Sequence, residues 1–264
     1  MAQPRVLLAR RMPPPAADLL REAGCRVDVI PTDEPTPRKE FLRHLPGAAG
    51  LIAMLSDRVD EEALDAAGPQ LKVVANYAVG FDNIDVPACT RRGIRVTNTP
   101  DVLTDATADL AWALILATAR NVVAGDQLMR AGGWSGWQPQ QLLGLQLSGS
   151  TLGILGAGRI GTAVARRAVG FGMRIIYTDP NRNLALEQET QATRVELDRL
   201  LAESDVLSLH LPLTPQHHRL INAERLAAMK PTAILINTAR GPLVDEAALV
   251  AALRDGRLAG AGLD

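Results

Sequence analysis

The stretch Thr151–Gly161, TLGILGAGRIG, passes from a short run of apolar and small residues into a glycine-rich turn. The pattern predicts a β-strand, a tight turn and the start of a helix. Gly156 allows the tight turn, Gly158 lets a ligand approach the backbone, and Gly161 lets the helix pack closely on the strand. A helix that starts at such a turn presents free N–H groups and the positive end of its dipole, which favour a pyrophosphate.

A second strand, predicted over Arg174–Thr178, ends in Asp179, which lies 23 residues after Gly156. This separation is close to the roughly 20 residues that put a carboxylate on an adenosine ribose hydroxyl. Strand, turn, helix and terminal acid together predict a dinucleotide-binding unit. A glycine-rich turn in another kind of α/β protein is the alternative.

The composition predicts a globular protein with a large core, because 47% of the 264 residues are hydrophobic and 22% are charged. The net charge of −1 comes without a basic tail, so we expect neither nucleic acid nor a membrane as a partner. Cys25 and Cys89 form no CxxC motif, and no metal-ligand spacing is apparent, so we expect reduced thiols, no metal and a cytoplasmic protein. The apolar run Val6–Ala9 is too short for a signal peptide.

The first 98 residues alternate short β-branched runs with helical patterns, which predicts a parallel sheet covered on both faces. The predicted strands are Arg5–Ala9, Arg26–Ile30, Gly50–Leu55, Lys72–Asn76 and Arg95–Thr97. The predicted helices are Pro15–Ala23, Pro37–His44, Asp60–Ala67 and Val86–Arg91.

A second domain is predicted over residues 99–264. It begins with a long helix from Asp101 to about Asn121, and the sheet then has strands at Thr151–Leu155, Arg174–Thr178, Thr193–Glu196, Asp205–His210, Ala233–Thr238 and Ala259–Leu263. Helices are predicted at Ile160–Val169, Leu197–Ala202, Ala223–Met229 and Asp245–Arg254. Six such strands, with the glycine turn after the first, predict a doubly wound nucleotide-binding sheet.

The segment between this first helix and the second sheet, about residues 121–150, is too apolar for a free linker. Trp134 and Trp137 lie within its glycine-rich part, Gly125–Gly149. We interpret it as an arm that packs against a second subunit. A surface loop within one chain is the alternative.

Ligands of open α/β sheets bind beyond the carboxyl ends of the strands. At one such end, Asn76–Asp85 leaves a strand and enters a helix, so the N–H groups of Val79 and Gly80 are candidates to hold a small carboxylate. An ordinary turn capped by Asp82 or Asp85 is the alternative.

Arg240 follows an apolar strand, and a guanidinium there suits a bidentate grip on an α-keto carboxylate. A surface ion pair with Asp245 is its alternative. His210, also at a strand end, is a weaker candidate for a catalytic acid.

Several motifs resemble those of the D-isomer-specific 2-hydroxyacid dehydrogenases, particularly the glyoxylate and hydroxypyruvate reductase branch. They are Asn76–Asp85 (NYAVGFDNID), Asn98–Pro100 (NTP), Gly133–Trp137 (GWSGW), Leu152–Gly161 (LGILGAGRIG), Tyr177–Asn183 (YTDPNRN), His210–Pro215 (HLPLTP), Ile236–Gly241 (INTARG) and Ala259–Asp264 (AGAGLD). The resemblance covers essentially the whole chain. It implies a Rossmann NAD-binding domain, a smaller flavodoxin-like substrate domain over residues 1–98, and a homodimer.

The resemblance also implies roles for individual residues. The substrate carboxylate would be held by the amides of Val79 and Gly80 and by Arg240, with Leu55 lining the pocket. For the cofactor, the implied contacts are Gly156, Gly158, Arg159, Ile160 and Gly161 at the pyrophosphate, Asp179 at the adenosine ribose, Pro212 at the adenine, and Thr238, Ala239, Arg240 and Asp264 around the nicotinamide. The implied reaction transfers a hydride to the carbonyl carbon of a 2-oxo acid, while a histidine supported by a glutamate protonates the alkoxide.

Two features refine this expectation. The charge of Asp179 favours NAD(H) over NADP(H), although Arg182 could soften that preference. In relatives that oxidise phosphoglycerate an arginine stands where this chain has Leu55, so we expect a small unphosphorylated substrate such as glyoxylate or hydroxypyruvate. The catalytic glutamate and histidine of the family lie beyond the AGLD motif and are not among these 264 residues, so this chain by itself is expected to bind the cofactor and to reduce substrate poorly. A non-catalytic NAD-binding interaction or sensor protein is the alternative function.

Overall fold

The computed structural model describes residues 3–264, and its contacts divide the chain into two compact units after Val102. The sequence predicted this boundary at residue 98. Each unit has its own parallel β-sheet and its own hydrophobic core.

The first unit is a five-stranded parallel sheet in the order β2-β1-β3-β4-β5. Its strands are β1 Arg5–Leu8, β2 Arg26–Val29, β3 Gly50–Ala53, β4 Val73–Asn76 and β5 Arg95–Thr97. Its helices are α1 Ala16–Glu22, α2 Arg38–His44, α3 Glu61–Ala67 and α4 Val86–Arg91. The register aligns Leu7, Leu51 and Val74 across three neighbouring strands, and all three are buried. This strand order is that of flavodoxin-like folds, as predicted.

The second unit, Leu103–Asp264, has a six-stranded parallel sheet in the order β11-β10-β9-β6-β7-β8. Its strands are β6 Thr151–Leu155, β7 Arg174–Thr178, β8 Thr193–Arg194, β9 Val206–Leu209, β10 Ile234–Asn237 and β11 Gly260–Leu263. Its helices are α5 Thr104–Ala119, α6 Val122–Arg130, α7 Arg159–Gly170, α8 Leu184–Thr190, α9 Leu197–Glu203, α10 Ala223–Ala227 and α11 Glu246–Arg254, with a 3₁₀ turn at Gly241–Leu243. The order in which strands are added to the sheet reverses between β6 and β9, and Rossmann folds bind dinucleotides at this point.

Alternate residues of the second sheet face opposite layers of helices, which confirms the predicted doubly wound fold. Ile175 and Tyr177 of β7 join the core formed with α5 and α7, whereas Ile176 joins the core formed with α9, α10 and α11. Trp112 of α5 stacks on Phe171, with the ring centroids 4.4 Å apart, so it fixes α5 against the end of α7.

The predicted elements are correct in kind and differ at their ends. The helix predicted from Asp101 to about Asn121 is wrong at both ends: it spans Thr104–Ala119, because Asp101 and Asn121 both have left-handed backbone angles, φ 71° and 53°. Two helices were not predicted, α6 within the proposed arm and α8 after Asp179. The strand predicted over Thr193–Glu196 is limited to two residues, Thr193–Arg194.

Within residues 3–264, no single helix is long and apolar enough to span a membrane. Helices α5 and α6 reach that length and hydropathy only as a pair, and the chain bends by 62° between them.

Candidate active site

The glycine-rich turn between β6 and α7 has the geometry that its sequence predicts. Gly156 has a φ of 97°, and a Cβ there would lie 2.7 Å from the carbonyl oxygen of His210. A Cβ at Gly161 would lie 2.0 Å from the carbonyl oxygen of Gly156, so a side chain there would push α7 away from the turn. Beside Gly158, by contrast, no atom of residues 3–264 other than those of its two chain neighbours lies within 4 Å of a Cβ position, so this face of the turn is open.

The N-terminus of α7 suits an anion. Gly158 occupies the capping position and offers no side chain to the helix, and the first turn contains no acidic residue. Arg159 and Ile160 are the first two residues of this helix of 12 residues. The first N–H groups of a helix have no partners within the helix, and with the dipole they favour a pyrophosphate. The turn and the helix therefore fit a dinucleotide.

Asp179 lies next to this turn. Its Oδ2 accepts a hydrogen bond from the Ala157 N–H at 2.9 Å, and its Oδ1 accepts one from the Asn181 N–H at 2.9 Å. Arg194 donates to the backbone carbonyl oxygen of Asp179 at 3.0 Å. The carboxylate is thus fixed at the end of β7, beside the glycine-rich turn.

Arg182 is engaged with another acid. Its Nε and Nη2 both donate to Glu187 Oε2, at 2.9 and 2.7 Å. Tyr177, which is fully buried, donates its hydroxyl to Glu187 Oε1 at 2.7 Å. These hydrogen bonds from Arg182 and Tyr177 lower the pKa of Glu187, so the carboxylate remains charged and retains the guanidinium.

His210 follows β9, and its backbone carbonyl oxygen lies beside Gly156 of the glycine-rich turn. Its Nε2 lies 2.8 Å from Ser208 Oγ, and burial lowers its pKa from 6.5 to about 4. The ring is therefore neutral at physiological pH. Pro212, two residues further along, is exposed.

The segment Thr238–Arg240 follows β10 and is shaped by the buried side chain of Asn237. The Asn237 amide donates to the carbonyl oxygen of Arg240 at 2.8 Å, and its oxygen accepts from the Ala239 N–H at 3.0 Å. The Arg240 guanidinium donates to the Ala239 carbonyl oxygen at 2.7 Å. Asp264 follows β11, and its N–H donates to the Asn237 carbonyl oxygen at 3.0 Å. These residues all lie at the carboxyl edge of the second sheet.

The first unit presents a second set of candidates at the carboxyl edge of its own sheet. Val79 and Gly80 lie in the turn after β4, and within residues 3–264 neither N–H donates to another protein atom. Two asparagine side chains hold this turn: Asn76 donates to the Gly80 carbonyl oxygen at 2.7 Å, and Asn98 donates to the Val79 carbonyl oxygen at 2.8 Å. Asp85 caps α4 by accepting from the Ala88 N–H at 2.9 Å, as one sequence alternative expected. The turn therefore offers two N–H groups to an anion.

Leu55 is 44% exposed in the turn Met54–Asp57, after β3. Asp57 is buried, its Oδ2 accepts from the Met54 N–H at 2.8 Å, and Arg10 donates to Ser56 Oγ at 2.6 Å. Burial raises the pKa of Asp57, against the opposing effects of the Met54 N–H and Arg10. These contacts hold the turn so that the Leu55 side chain remains exposed at its tip.

Sequence reasoning missed the part that Asn76, Asn98, Asn237 and Arg10 play in holding these loops. Asn76 and Asn237 each end an apolar strand, each is itself buried, and each holds the loop that follows. A polar amide as the last residue of such a strand is a signal that could have identified them.

Comparisons with known proteins agree with this geometry. The sequence model of the family "D-isomer specific 2-hydroxyacid dehydrogenase, NAD binding domain" matches residues 112–264. The glyoxylate reductase of Thermococcus onnurineus is 50% identical over 266 residues, which cover 99% of this chain and 79% of that protein.

Solved structures give the same result. The crystal structure of the TT0316 protein from Thermus thermophilus superposes with a TM-score of 0.90 at 53% identity, over 98% of this chain and 81% of that chain. The NADPH-dependent glyoxylate/hydroxypyruvate reductase of Sinorhizobium meliloti, in complex with NADP and malonate, has a TM-score of 0.84 at 36% identity, over 99% of this chain and 79% of that chain.

The chain belongs to the D-isomer-specific 2-hydroxyacid dehydrogenase family. Its function is accordingly the nicotinamide-dependent reduction of 2-oxo acids, the class of reaction that this family catalyses, and its second unit is the NAD-binding domain.

Proposed function

We propose that this protein uses NADH, rather than NADPH, to reduce a small unphosphorylated 2-oxo acid, glyoxylate or hydroxypyruvate, to the corresponding 2-hydroxy acid. The observation that carries the substrate assignment is Leu55. Its apolar side chain is held at the exposed tip of a fixed turn in the first unit, and it offers no charge to a substrate phosphate. Relatives whose names specify glyoxylate or hydroxypyruvate support the same substrate class.

The preference for NADH rests on Asp179 and Arg182. A carboxylate fixed at the end of β7 accepts a hydrogen bond from a free ribose hydroxyl and repels a 2′-phosphate. Arg182, the nearby cation that could attract that phosphate, is paired with Glu187. The Sinorhizobium relative is NADPH-dependent, so family membership alone does not determine the cofactor, and the proposal depends on these two residues.

For the remaining cofactor contacts we retain the residues that the sequence implies. They are Gly156, Gly158, Arg159, Ile160 and Gly161 at the pyrophosphate, Pro212 at the adenine, and Thr238, Ala239, Arg240 and Asp264 at the nicotinamide. When bound, the reduced nicotinamide supplies the hydride. Asn237 holds the backbone from Ala239 to Arg240, so the loop that would orient the nicotinamide is already ordered.

The substrate carboxylate would be held by Arg240 and by the N–H groups of Val79 and Gly80. A guanidinium provides two parallel donors to a carboxylate, and two adjacent backbone N–H groups provide a further anion site. Arg240 would also polarise the carbonyl that accepts the hydride, which is why we assign it a catalytic role.

We further propose a homodimer that is formed through the arm, residues 121–150. Helix α6 contains no buried residue, although Val122, Val123 and Met129 are apolar. Trp137 and Leu143 are 82% and 71% exposed. So much exposed apolar surface in one segment favours burial against a second copy. The alternative of a loop within one chain fits the end of the segment, where Leu147 is buried in the core of the second unit.

The competing function is a non-catalytic NAD-binding interaction or sensor protein of the same fold. The experiment that separates the two follows NADH oxidation at 340 nm with glyoxylate, hydroxypyruvate and pyruvate. It uses the 264-residue chain and any longer product of the same reading frame. NADH binding without turnover in both proteins would favour the sensor.

Arg240→Lys tests the substrate role in whichever protein turns over. Lysine keeps the charge but loses the bidentate geometry, so kcat/KM for the 2-oxo acid should fall about a hundredfold. The Kd for NADH should change less than about twofold, because this variant retains the whole pyrophosphate turn. Unchanged kcat/KM would remove Arg240 from the site.

A further inference from the structure

The loop that follows β7 holds the glycine-rich turn through a second side chain besides Asp179. Asn183 Nδ2 donates to the Ala157 carbonyl oxygen and to Thr162 Oγ1, both at 3.0 Å. The Thr162 hydroxyl donates to the same carbonyl oxygen at 3.2 Å. Ala157 is therefore held at both of its backbone polar groups, with its N–H on Asp179 and its C=O on Asn183 and Thr162.

Asn183 is itself held firmly. Its backbone N–H donates to the Tyr177 hydroxyl oxygen at 2.9 Å, and Tyr177 is fully buried. Its side-chain oxygen accepts from the Leu186 N–H at 3.0 Å and so caps α8. Every polar group of the side chain is used, and the contacts define which end of the amide is nitrogen, because the helix requires an acceptor and the turn requires a donor.

Ala157 lies at the centre of the glycine-rich turn. Ala157 stands between Gly156 and Gly158, and glycines leave a chain free to adopt many conformations. A turn that moved freely would lose this freedom on binding, and the loss would reduce affinity. We propose that Asn183 is a cofactor-positioning residue. Acting through Ala157, it holds the glycine-rich turn in the conformation that presents its N–H groups to the pyrophosphate.

Asn183 and Asp179 should affect cofactor binding in different ways. Asp179 carries the charge that distinguishes a ribose hydroxyl from a phosphate, whereas Asn183 is neutral and supports the turn that every dinucleotide uses. Loss of the Asn183 contact should therefore raise the dissociation constants of NADH and NADPH by the same factor and leave the ratio of the two constants unchanged. The inference rests on cofactor binding by the second unit and does not depend on which 2-oxo acid is reduced.

The test measures dissociation constants of NADH, NADPH, ADP and adenosine by titration calorimetry. In Asn183→Ser the hydroxyl still caps α8 but is too short to reach Ala157. Two hydrogen bonds of the Asn183 amide are lost, and the one to the Ala157 carbonyl oxygen is the one that holds the turn. We therefore expect NADH, NADPH and ADP to bind about fivefold more weakly, and adenosine, which has no pyrophosphate, to be unaffected. Asn222→Ser is the matched control, because Asn222 caps α10 in the same way, by accepting from the Arg225 N–H at 3.0 Å.

A second pair of variants tests Thr162, the other side chain that holds the Ala157 carbonyl oxygen. Thr162→Val removes the hydroxyl that both accepts from Asn183 and donates to Ala157, and Thr162→Ser restores it. The valine variant should bind ADP more weakly, and the serine variant should bind it with wild-type affinity. Thermal unfolding of the cofactor-free proteins checks that each variant folds. Wild-type affinity for ADP in Asn183→Ser, or an equal loss in Asn222→Ser, would overturn the inference. A wild-type chain that binds neither NADH nor ADP would overturn both it and the proposed function.

Discussion

The N–H of Ala157 donates to Asp179 Oδ2 at 2.9 Å, which joins the acid at the end of β7 to the centre of the glycine-rich turn. Because Asn181 holds the other oxygen, two backbone amides fix the negative charge within the chain itself. A fixed carboxylate cannot swing away from a 2′-phosphate. The turn that would bind the pyrophosphate and the group that would select the cofactor are therefore parts of one hydrogen-bonded unit.

Replacing Asp179 by asparagine should change the choice between the two cofactors. The substitution keeps the size of the side chain and removes the charge that repels a 2′-phosphate. We expect the ratio of the NADPH to the NADH dissociation constants to fall by about tenfold, the scale of one removed charge repulsion near a surface. Fluorescence titration with each cofactor measures both constants.

Arg182→Gln is the companion variant. The Arg182 guanidinium is occupied by Glu187, so its removal should leave the cofactor ratio of the protein unchanged. If Arg182→Gln lowers the affinity for NADPH specifically, then Arg182 leaves Glu187 when the phosphate arrives. The assignment of selectivity to Asp179 alone would then be wrong.

Two glycine-to-alanine variants separate folding from cofactor binding. At Gly158 a methyl group meets no atom of the described residues within 4 Å apart from its two chain neighbours, so Gly158→Ala should fold normally. It should nevertheless bind NADH at least about tenfold more weakly, because the methyl group occupies the ligand's approach to the backbone. At Gly161 a methyl group would lie 2.0 Å from the Gly156 carbonyl oxygen, so Gly161→Ala should lower the thermal unfolding midpoint as well. Thermal melts and NADH titrations are made on both proteins. Normal NADH affinity in Gly158→Ala would place the pyrophosphate elsewhere.

The sequence was sufficient to predict the two sheets and the glycine turn because their signals are local. The β-branched runs, the GxGxxG spacing and the acid directly after β7 can each be recognised from a few neighbouring residues. The backbone geometry of the strands and of the turn then follows from sterics. Helices α6 and α8 were not predicted, although the shorter helices α4 and α10 were. Helix α6 contains a glycine and α8 ends in Thr190, and both residues lower helix propensity.

The asparagine contacts could not be predicted for a different reason. Asn183 reaches Ala157 across 26 positions of sequence, and Asn98 reaches Val79 across 19. Which carbonyl a side chain meets depends on how strands are ordered in the sheet, and the spacing of residues does not encode it. The same limit applies to Arg10, whose partner Ser56 becomes a neighbour only when β1 pairs with β3.

The proposed dimer can be tested by point substitution in the arm. Deleting Gly125–Gly149 would also remove Leu147 from the core, so it would confuse misfolding with dissociation. Trp137→Ser changes an 82% exposed side chain, and we expect it to shift the protein toward a monomer in light scattering coupled to size-exclusion chromatography. Leu19→Ser, at a 57% exposed position in α1, is the control and should leave the mass unchanged. A monomeric wild-type protein would contradict the proposed dimer.

His210 should make the stability of the protein depend on pH. In the native state burial lowers its pKa from 6.5 to about 4, whereas the unfolded chain has the ordinary value. Above pH 6.5 the ring is neutral in both states and contributes nothing to the pH dependence. As the pH falls from 6.5 to about 4 the unfolded chain takes up a proton first, so the free energy of unfolding decreases, by about 2 kcal/mol at pH 5.

His210→Gln removes this titration and keeps a polar side chain near Ser208. Urea unfolding at pH 7 and pH 5 should show a smaller loss of stability in the variant than in the wild type, by that same amount of about 2 kcal/mol. The carboxylates titrate in both proteins, so their contribution cancels in the difference. His218→Gln, in the exposed part of the loop after β9, is the matched control and should follow the wild type. Equal losses of stability in His210→Gln and wild type would mean that the native ring at position 210 takes up its proton as readily as the unfolded one.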